Sequence, residues 1–259
     1  LGYNPSTATP PCVNDAKAVP GGSSSGSAAS VAYGLAAASI GSDTGGSVRI
    51  PAAWNDLVGL KTTHGRLSLE GVVPLALKFD TIGPLCRSVE DAALLTAALE
   101  GIKAPDLRGA SLKGRRFAMI NTVFMDGLRD APKAAFNRAV EAAGATIDVI
   151  EVAAVQEALD VSGPLITCEA YGLWRDVIEA APEKMYEEIL RRFRLGRDFS
   201  GPDYVSAWAR LDAARQAYDQ ATAGYDAILA PTSAILAPEL ERLNSDPDYY
   251  VTENLMALR

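Results

Sequence analysis

Two hydrophobic patterns divide the chain. From about Ser27 to Ala38 the residues are almost wholly Ala, Val, Leu and Ser, with no polar face. That predicts a helix buried on all sides and packed closely on its neighbours. Ser88 to Leu99 predicts a second helix, with Ser88 as its cap, Asp91 three residues on and Gly101 just past its end. Beyond it the pattern alternates. Arg116 to Val123 (RFAMINTV) reads as a strand. Asp130 to Ala143 reads as a helix, with Pro132 in its first turn and Gly144 closing it. Thr146 to Val152 (TIDVIEV) reads as the next strand. A strand–helix–strand order predicts a parallel pair in an α/β sheet. Helices follow over Pro164 to Ala180, Glu183 to Leu195 and Pro202 to Gly224. In the last, Tyr204, Trp208, Leu211 and Tyr218 share one face. Tyr225 to Thr232 (YDAILAPT) is a short apolar strand, and Asn254 to Arg259 a helical turn with no cap after it. Leu1 to Pro20 reads as ordered loop. Trp54 to Thr63 and Gly71 to Pro84 carry turn signals consistent with irregular structure and short strands. With no repeat and no low-complexity linker, the pattern favours a single domain over residues 1–259.

Composition narrows the class. The chain has 259 residues, of which 48% are hydrophobic and 22% charged, enough to build a core and too apolar for disorder. Against 24 Lys and Arg stand 32 Asp and Glu, a net charge of −8, with no polybasic run. A nucleic-acid partner is therefore not expected, and the acidic balance reads as solvated surface. No stretch of 18 apolar residues occurs, so no membrane span or membrane partner is expected. Cys12, Cys86 and Cys168 are odd in number and far apart, which suggests a reducing compartment and a cytoplasmic location. His64 is the only imidazole, which excludes a multi-His metal site, and no cofactor or metal is expected.

The chemistry concentrates in two Gly/Ser clusters. For Gly21 to Ser27 (GGSSSGS) three readings compete. The spacing is that of a phosphate-binding loop, but Ser27 stands where its Lys is needed. Gly22-Ser23-Ser24-Ser25-Gly26 fits a nucleophile elbow, but Pro20 and the polar run before it argue against the required strand. The third reading is a flexible turn that sets a Ser hydroxyl beside another reactive group, with a plain turn capping a buried helix as the alternative. The second cluster, Asp43-Thr44-Gly45-Gly46-Ser47-Val48-Arg49, sets a Ser directly after two glycines. Successive glycines let backbone N–H groups converge on one point, as an oxyanion hole requires. Ser47 then stands where its Oγ and those donors could share one carbonyl. Asp43 and Arg49 flank the turn and read as a local ion pair that shapes it.

The text GGSSSGSAASVAYGLAAASIGSDTGGSVRIPAAWNDLVGLKTTHGRLS, followed by DTIGPLCRSVEDAALL, resembles the amidase signature family over Val19 to Leu99. Tyr225 to Pro231 is similar more weakly. The resemblance implies an α/β fold with a mixed β-sheet core covered by α-helices on both faces. It also implies a Ser–cis-Ser–Lys triad, in which Ser47 is the nucleophile and Ser23 the bridging Ser, with a cis Gly22–Ser23 peptide. It places the oxyanion donors on the N–H groups of Thr44, Gly45, Gly46 and Ser47. A Ser hydroxyl needs a base, and a Lys kept neutral by burial can serve through a bridging hydroxyl.

Departures from the family pattern are informative. Ser25 replaces a Gly, and His64 stands at the usual Tyr of Lys61-Thr62-Thr63-His64-Gly65-Arg66, which points to a structural or pocket-lining His64. The family's Lys lies further upstream of the GGSS turn than the 22 residues present. Lys17 is too close to the turn and matches no Lys motif, and Lys61 belongs to a structural segment. The expectation is a longer active protein at both ends, with the Lys supplied from upstream. Without such an extension, the base would have to be sought among Lys17, Lys61 and His64. Cys86 and Cys168 read as core or pocket-wall thiols, and Trp54, Trp174 and Trp208 as core. Leu75 to Phe79 and the helices after Pro164, with Thr167, Tyr171 and Trp174, are candidates for an acyl pocket. The favoured function is hydrolysis of a carboxylic amide to acid and ammonia through an acyl-enzyme on Ser47, with a small-molecule amide as partner and a homodimer left open. The alternatives are the glutaminase-type subunit of a glutamyl-tRNA amidotransferase and a non-catalytic amidase-like protein.

Overall fold

The computed structural model describes residues 1–121 and 123–257. The small-residue helix α1 (Ser25–Ala32) is shorter than its composition predicts. Gly34 at φ 73° turns the chain, its N–H bonding to the Val31 carbonyl, and the following residues enter strand β1 (Ser39–Asp43). Helix α2 (Arg49–Trp54), strand β2 (Val58–Gly59) and strand β3 (Thr81–Cys86) follow. Strand β3 lies between β1 and β2, antiparallel to both, in a register that pairs Asp43 with Thr81 and Ser39 with Leu85. Ala28, Val48, Ala52 and Leu85 close a core cluster joining α1, the turn before α2, α2 itself and β3. Helix α3 (Val89–Glu100) is bounded as expected. The Ser88 side chain accepts from the Asp91 N–H, and Gly101 is left-handed at φ 69°.

The second half is built on parallel strands. Strand β4 (Arg116–Ile120), helix α4 (Asp130–Ala143) and strand β5 (Thr146–Ile150) form the predicted β–α–β unit, with Gly144 left-handed at the helix end. Helices α5 (Ala154–Ala180), α6 (Glu187–Arg194) and α7 (Gly201–Thr222) lead to β6 (Ala227–Leu229), which pairs parallel with the other edge of β4. Helices α8 (Leu240–Ser245) and α9 (Pro247–Ala257) end the described chain. Helices α5 and α7 pack through Val161, Leu165, Ala207 and Leu211. None of the described helices is long and apolar enough to cross a membrane.

The α/β class holds, with three differences of detail. The strands form one antiparallel and one parallel sheet, each of three strands, and among the described residues no ladder joins them into one mixed sheet. The strand expected over Arg116 to Val123 ends at Ile120, and Thr122 lies outside the described residues, as do Leu258 and Arg259 of the expected last helical turn. Helix α5 begins ten residues before Pro164 and runs through it. Gly163 and Pro164 lie on its exposed side, where solvent can satisfy the carbonyl that Pro leaves without a donor.

One buried side chain ties the first Gly/Ser turn to this frame. Asn55, 2% exposed, donates through Nδ2 to the carbonyls of Pro20 (2.6 Å) and Pro51 (2.8 Å), and its Oδ1 accepts from the Val13 N–H at 3.0 Å. Asn55→Ala leaves several buried polar groups without partners, each costing about 1–3 kcal/mol. The expected result is a urea midpoint lowered to match a loss of at least that size, read by equilibrium unfolding.

Candidate active site

The two Gly/Ser clusters meet. In the first, Gly21 adopts φ 82°, and a Cβ there would lie 2.7 Å from Pro51 Cα, so only glycine lets the turn lie against α2. The Gly22–Ser23 peptide is cis. Ser24 Oγ donates to the Ser42 carbonyl at 3.2 Å, and the Ser24 N–H donates to the Ser47 carbonyl, also at 3.2 Å. That second bond joins the two turns directly, next to both of the serines named from the sequence. Ser23 is exposed and Ser47 half-buried, so both are within reach of a ligand.

The second turn is wound around Asp43, which is fully buried at the end of β1. Its Oδ1 accepts from the Gly46 N–H (2.8 Å) and its Oδ2 from the Val48 N–H (3.1 Å) and Arg49 N–H (3.4 Å). The Arg49 guanidinium adds a fork, Nε to Oδ2 at 3.0 Å and Nη2 to Oδ1 at 2.9 Å. The ion pair expected across the turn is therefore present, and its carboxylate also organises the backbone. Gly46 at φ 118° turns the chain within this ring of bonds. Its N–H, one of the four expected oxyanion donors, is engaged by Asp43. Among the described residues the N–H groups of Thr44, Gly45 and Ser47 meet no protein acceptor.

Burial alone would raise the Asp43 pKa. The hydrogen bond and charge of Arg49, with the amides of Gly46 and Val48, outweigh it and hold the carboxyl below its ordinary value of 3.8. A carboxyl whose folded pKa is depressed stabilises the fold fully above its unfolded pKa and loses that contribution as pH falls through the lower folded value. The turn is thus expected to stay intact down to about pH 4, with its share of stability lost only in stronger acid. Thermal unfolding between pH 7 and pH 2 checks this, and in an Asp43→Asn variant that share of the acid loss should be absent.

The other residues singled out in the sequence sit apart from this turn or serve its frame. Lys61 donates through Nζ to the Thr62 carbonyl at 2.7 Å. Burial, then the charge of Arg49, lower its pKa against the pull of Asp43. His64 Nε2 lies 3.0 Å from the Leu77 carbonyl, which makes it a pin on the 74–80 loop. Lys17 is exposed, with its N–H on Asp15 Oδ1. Trp54 is buried in the core, and Cys86 is buried in β3. Trp174 Nε1 donates to the Pro74 carbonyl at 2.8 Å, Thr167 Oγ1 to the Pro164 carbonyl and Tyr171 OH to Glu179. None of these last three lines the cavity of about 390 Å³ between the 74–80 loop, α5 and α7; Leu77, Lys78, Cys168, Glu169, Leu173 and Tyr204 are among its walls. The sequence reading missed Asp80, which is buried and bonded to Thr44. No group of three or more His, Cys, Asp or Glu among the described residues is placed to hold a metal ion.

Comparison with known proteins agrees with this geometry. A family model described as Amidase matches residues 3–258. The amidase-type subunit of the glutamyl-tRNA(Gln) amidotransferase of Staphylococcus saprophyticus is 43% identical over 154 residues, which cover 53% of this chain and 32% of that protein. A crystal structure of an amidase superimposes with a TM-score of 0.83 at 34% identity, covering 92% of this chain and 55% of that one. The crystal structure of the corresponding glutamyl-tRNA(Gln) amidotransferase subunit from Thermotoga maritima gives 0.79 at 27% identity, covering 96% and 57%. The chain thus spans about a third of the curated relative and just over half of each solved chain.

Proposed function

The chain belongs to the amidase family, and on that premise we propose that it carries the nucleophile side of a site that hydrolyses a carboxylic amide to acid and ammonia. Ser47 Oγ adds to the amide carbonyl while its proton passes to Ser23 Oγ, which hands its own proton to a base. The carbonyl oxygen, now an oxyanion, is met by the free N–H groups of Thr44, Gly45 and Ser47. The C–N bond breaks, the nitrogen leaves as ammonia with the relayed proton, and water then cleaves the Ser47 ester. The base is not assigned among the described residues, since the ammonium of Lys61 is spent on the Thr62 carbonyl and His64 on the Leu77 carbonyl. The observation that carries the reading is the Ser24 N–H bond to the Ser47 carbonyl, which supports a shared site for two serines 24 positions apart. A fluorophosphonate probe tests it on the protein at its natural length. Labelling at Ser47 with ammonia release from simple amides supports the reading, and absence of both counts against it.

A second reading, an amidotransferase component that makes ammonia for a partner, is favoured by the 43% identity to a protein of that name. Ammonia release that requires charged tRNA together with a partner protein would select it over a free-standing amidase.

A further inference from the structure

We propose that Asp80 is a positioning residue that sets the direction of the oxyanion donors through Thr44, an inference that rests on the hydrolase reading above. Asp80 precedes β3 and is 5% exposed. Its Oδ1 accepts from Thr44 Oγ1 at 2.5 Å, and its Oδ2 from the N–H groups of Leu75 (2.7 Å) and Ala76 (3.0 Å). The next residue grips the same strand end, since Thr81 Oγ1 donates to the Asp43 carbonyl at 2.8 Å. A peptide unit is planar and trans, so its C=O and N–H point opposite ways. Holding the Asp43 carbonyl on Thr81 therefore aims the Thr44 N–H away from β3. Holding the Thr44 hydroxyl on Asp80 fixes that side chain's χ1, and with it the orientation of the Thr44 backbone that leads into the Gly45 N–H. Two of the three free donors are thus aimed by residues 80 and 81, on the opposite side of the turn from Asp43.

Asp80 also carries a second load. The amides it accepts belong to the 74–80 loop, which is pinned to α5 by the Lys78 N–H on Glu169 Oε2 (3.0 Å) and by Trp174 on the Pro74 carbonyl. That loop supplies Leu77 and Lys78 to the wall of the 390 Å³ cavity. A carboxylate is the only side chain of this length that can accept on both oxygens at once. In Asp80→Asn the NH₂ group must face either the Thr44 hydroxyl or two backbone donors, so one partnership is lost.

The test uses the protein at its natural length and reads steady-state hydrolysis, fluorophosphonate labelling rate and thermal unfolding for Thr44→Val, Thr44→Ser, Asp80→Asn and the Asp80→Asn/Thr44→Val pair. Thr44→Val keeps the shape and removes only the hydroxyl. Its kcat and labelling rate are expected to fall about 10- to 100-fold, less than the loss of a whole oxyanion donor, with KM changed less than about twofold. Thr44→Ser, which restores the hydroxyl, recovers most of that loss. The double variant is no slower than Asp80→Asn alone, because both changes cut one link. Undiminished labelling in Thr44→Val, no recovery in Thr44→Ser, or fully additive losses would overturn the inference while leaving the hydrolase reading standing. If the unaltered protein is not labelled at Ser47, the hydrolase reading fails and this inference falls with it.

Discussion

Replacing Ser47 by Ala is expected to reduce turnover by on the order of a million-fold, to the level left by binding and oxyanion contacts alone. No other hydroxyl is placed to form the acyl bond in its stead, since Ser24 Oγ is committed to the Ser42 carbonyl. Ser23→Ala is expected to be milder, lowering kcat by about 10²- to 10⁴-fold, the usual worth of a positioned proton carrier. It should leave KM near its starting value, because Ser23 moves a proton and does not grip the substrate. The comparison is made by single-turnover kinetics on an amide and by intact-mass detection of the acyl form. Losses that are equal and mild in the two variants would remove both role assignments.

How much of this was legible in the sequence depends on how local the determining contacts are. Helix α4 was readable to the residue, because Gly144 ends it and its charged face alternates with Ala and Val positions on the other. Helix α3 announced itself through Ser88, Asp91 and Gly101, three residues within the helix or beside its ends. Strand β1 did not. Ser39-Ile40-Gly41-Ser42-Asp43 has the composition of a turn, and it is a strand because β3, some 40 positions later, supplies its hydrogen bonds. The start of α5 was placed ten residues late because Pro164 reads locally as a helix start. Packing of Val161 and Leu165 on Ala207 and Leu211 of α7 overrides that signal. In the site, the Asp43–Arg49 pair was readable because both partners lie within one turn. Asp80 was not, because its partner Thr44 is 36 positions away and an Asp ahead of an apolar run has no distinctive local pattern. The engagement of the Gly46 N–H was likewise hidden, since a pair of glycines indicates that amides can converge and says nothing of which one a buried carboxylate will take.

The carboxylate of Asp43 leads to the largest expected loss of stability. In Asp43→Ala the N–H groups of Gly46 and Val48 lose their acceptor around a side chain with no exposed surface, and each such unpaired group costs about 1–3 kcal/mol. The ion pair itself adds less, because the Arg49 side chain is 44% exposed and water takes over part of its charge. The sum is about 3–5 kcal/mol, or on the order of 10 °C in Tm for a chain of this size. Asp43→Asn should fall between Ala and the unaltered protein, since one oxygen can still accept from a single amide. Arg49→Met tests the partition from the other side. It leaves the buried carboxylate with its backbone donors, so its cost should be clearly below that of Asp43→Ala. If the two costs were equal, the ion pair and not the ring of amides would hold the turn. Turnover is expected to fall with stability in Asp43→Ala, and further than stability alone requires. Releasing Gly46 and Val48 frees the backbone on both sides of Ser47, so the nucleophile and its neighbouring donors lose their fixed geometry together. Measuring kcat well below the variant's own Tm, where the folded fraction is saturated, separates that local loss from global unfolding.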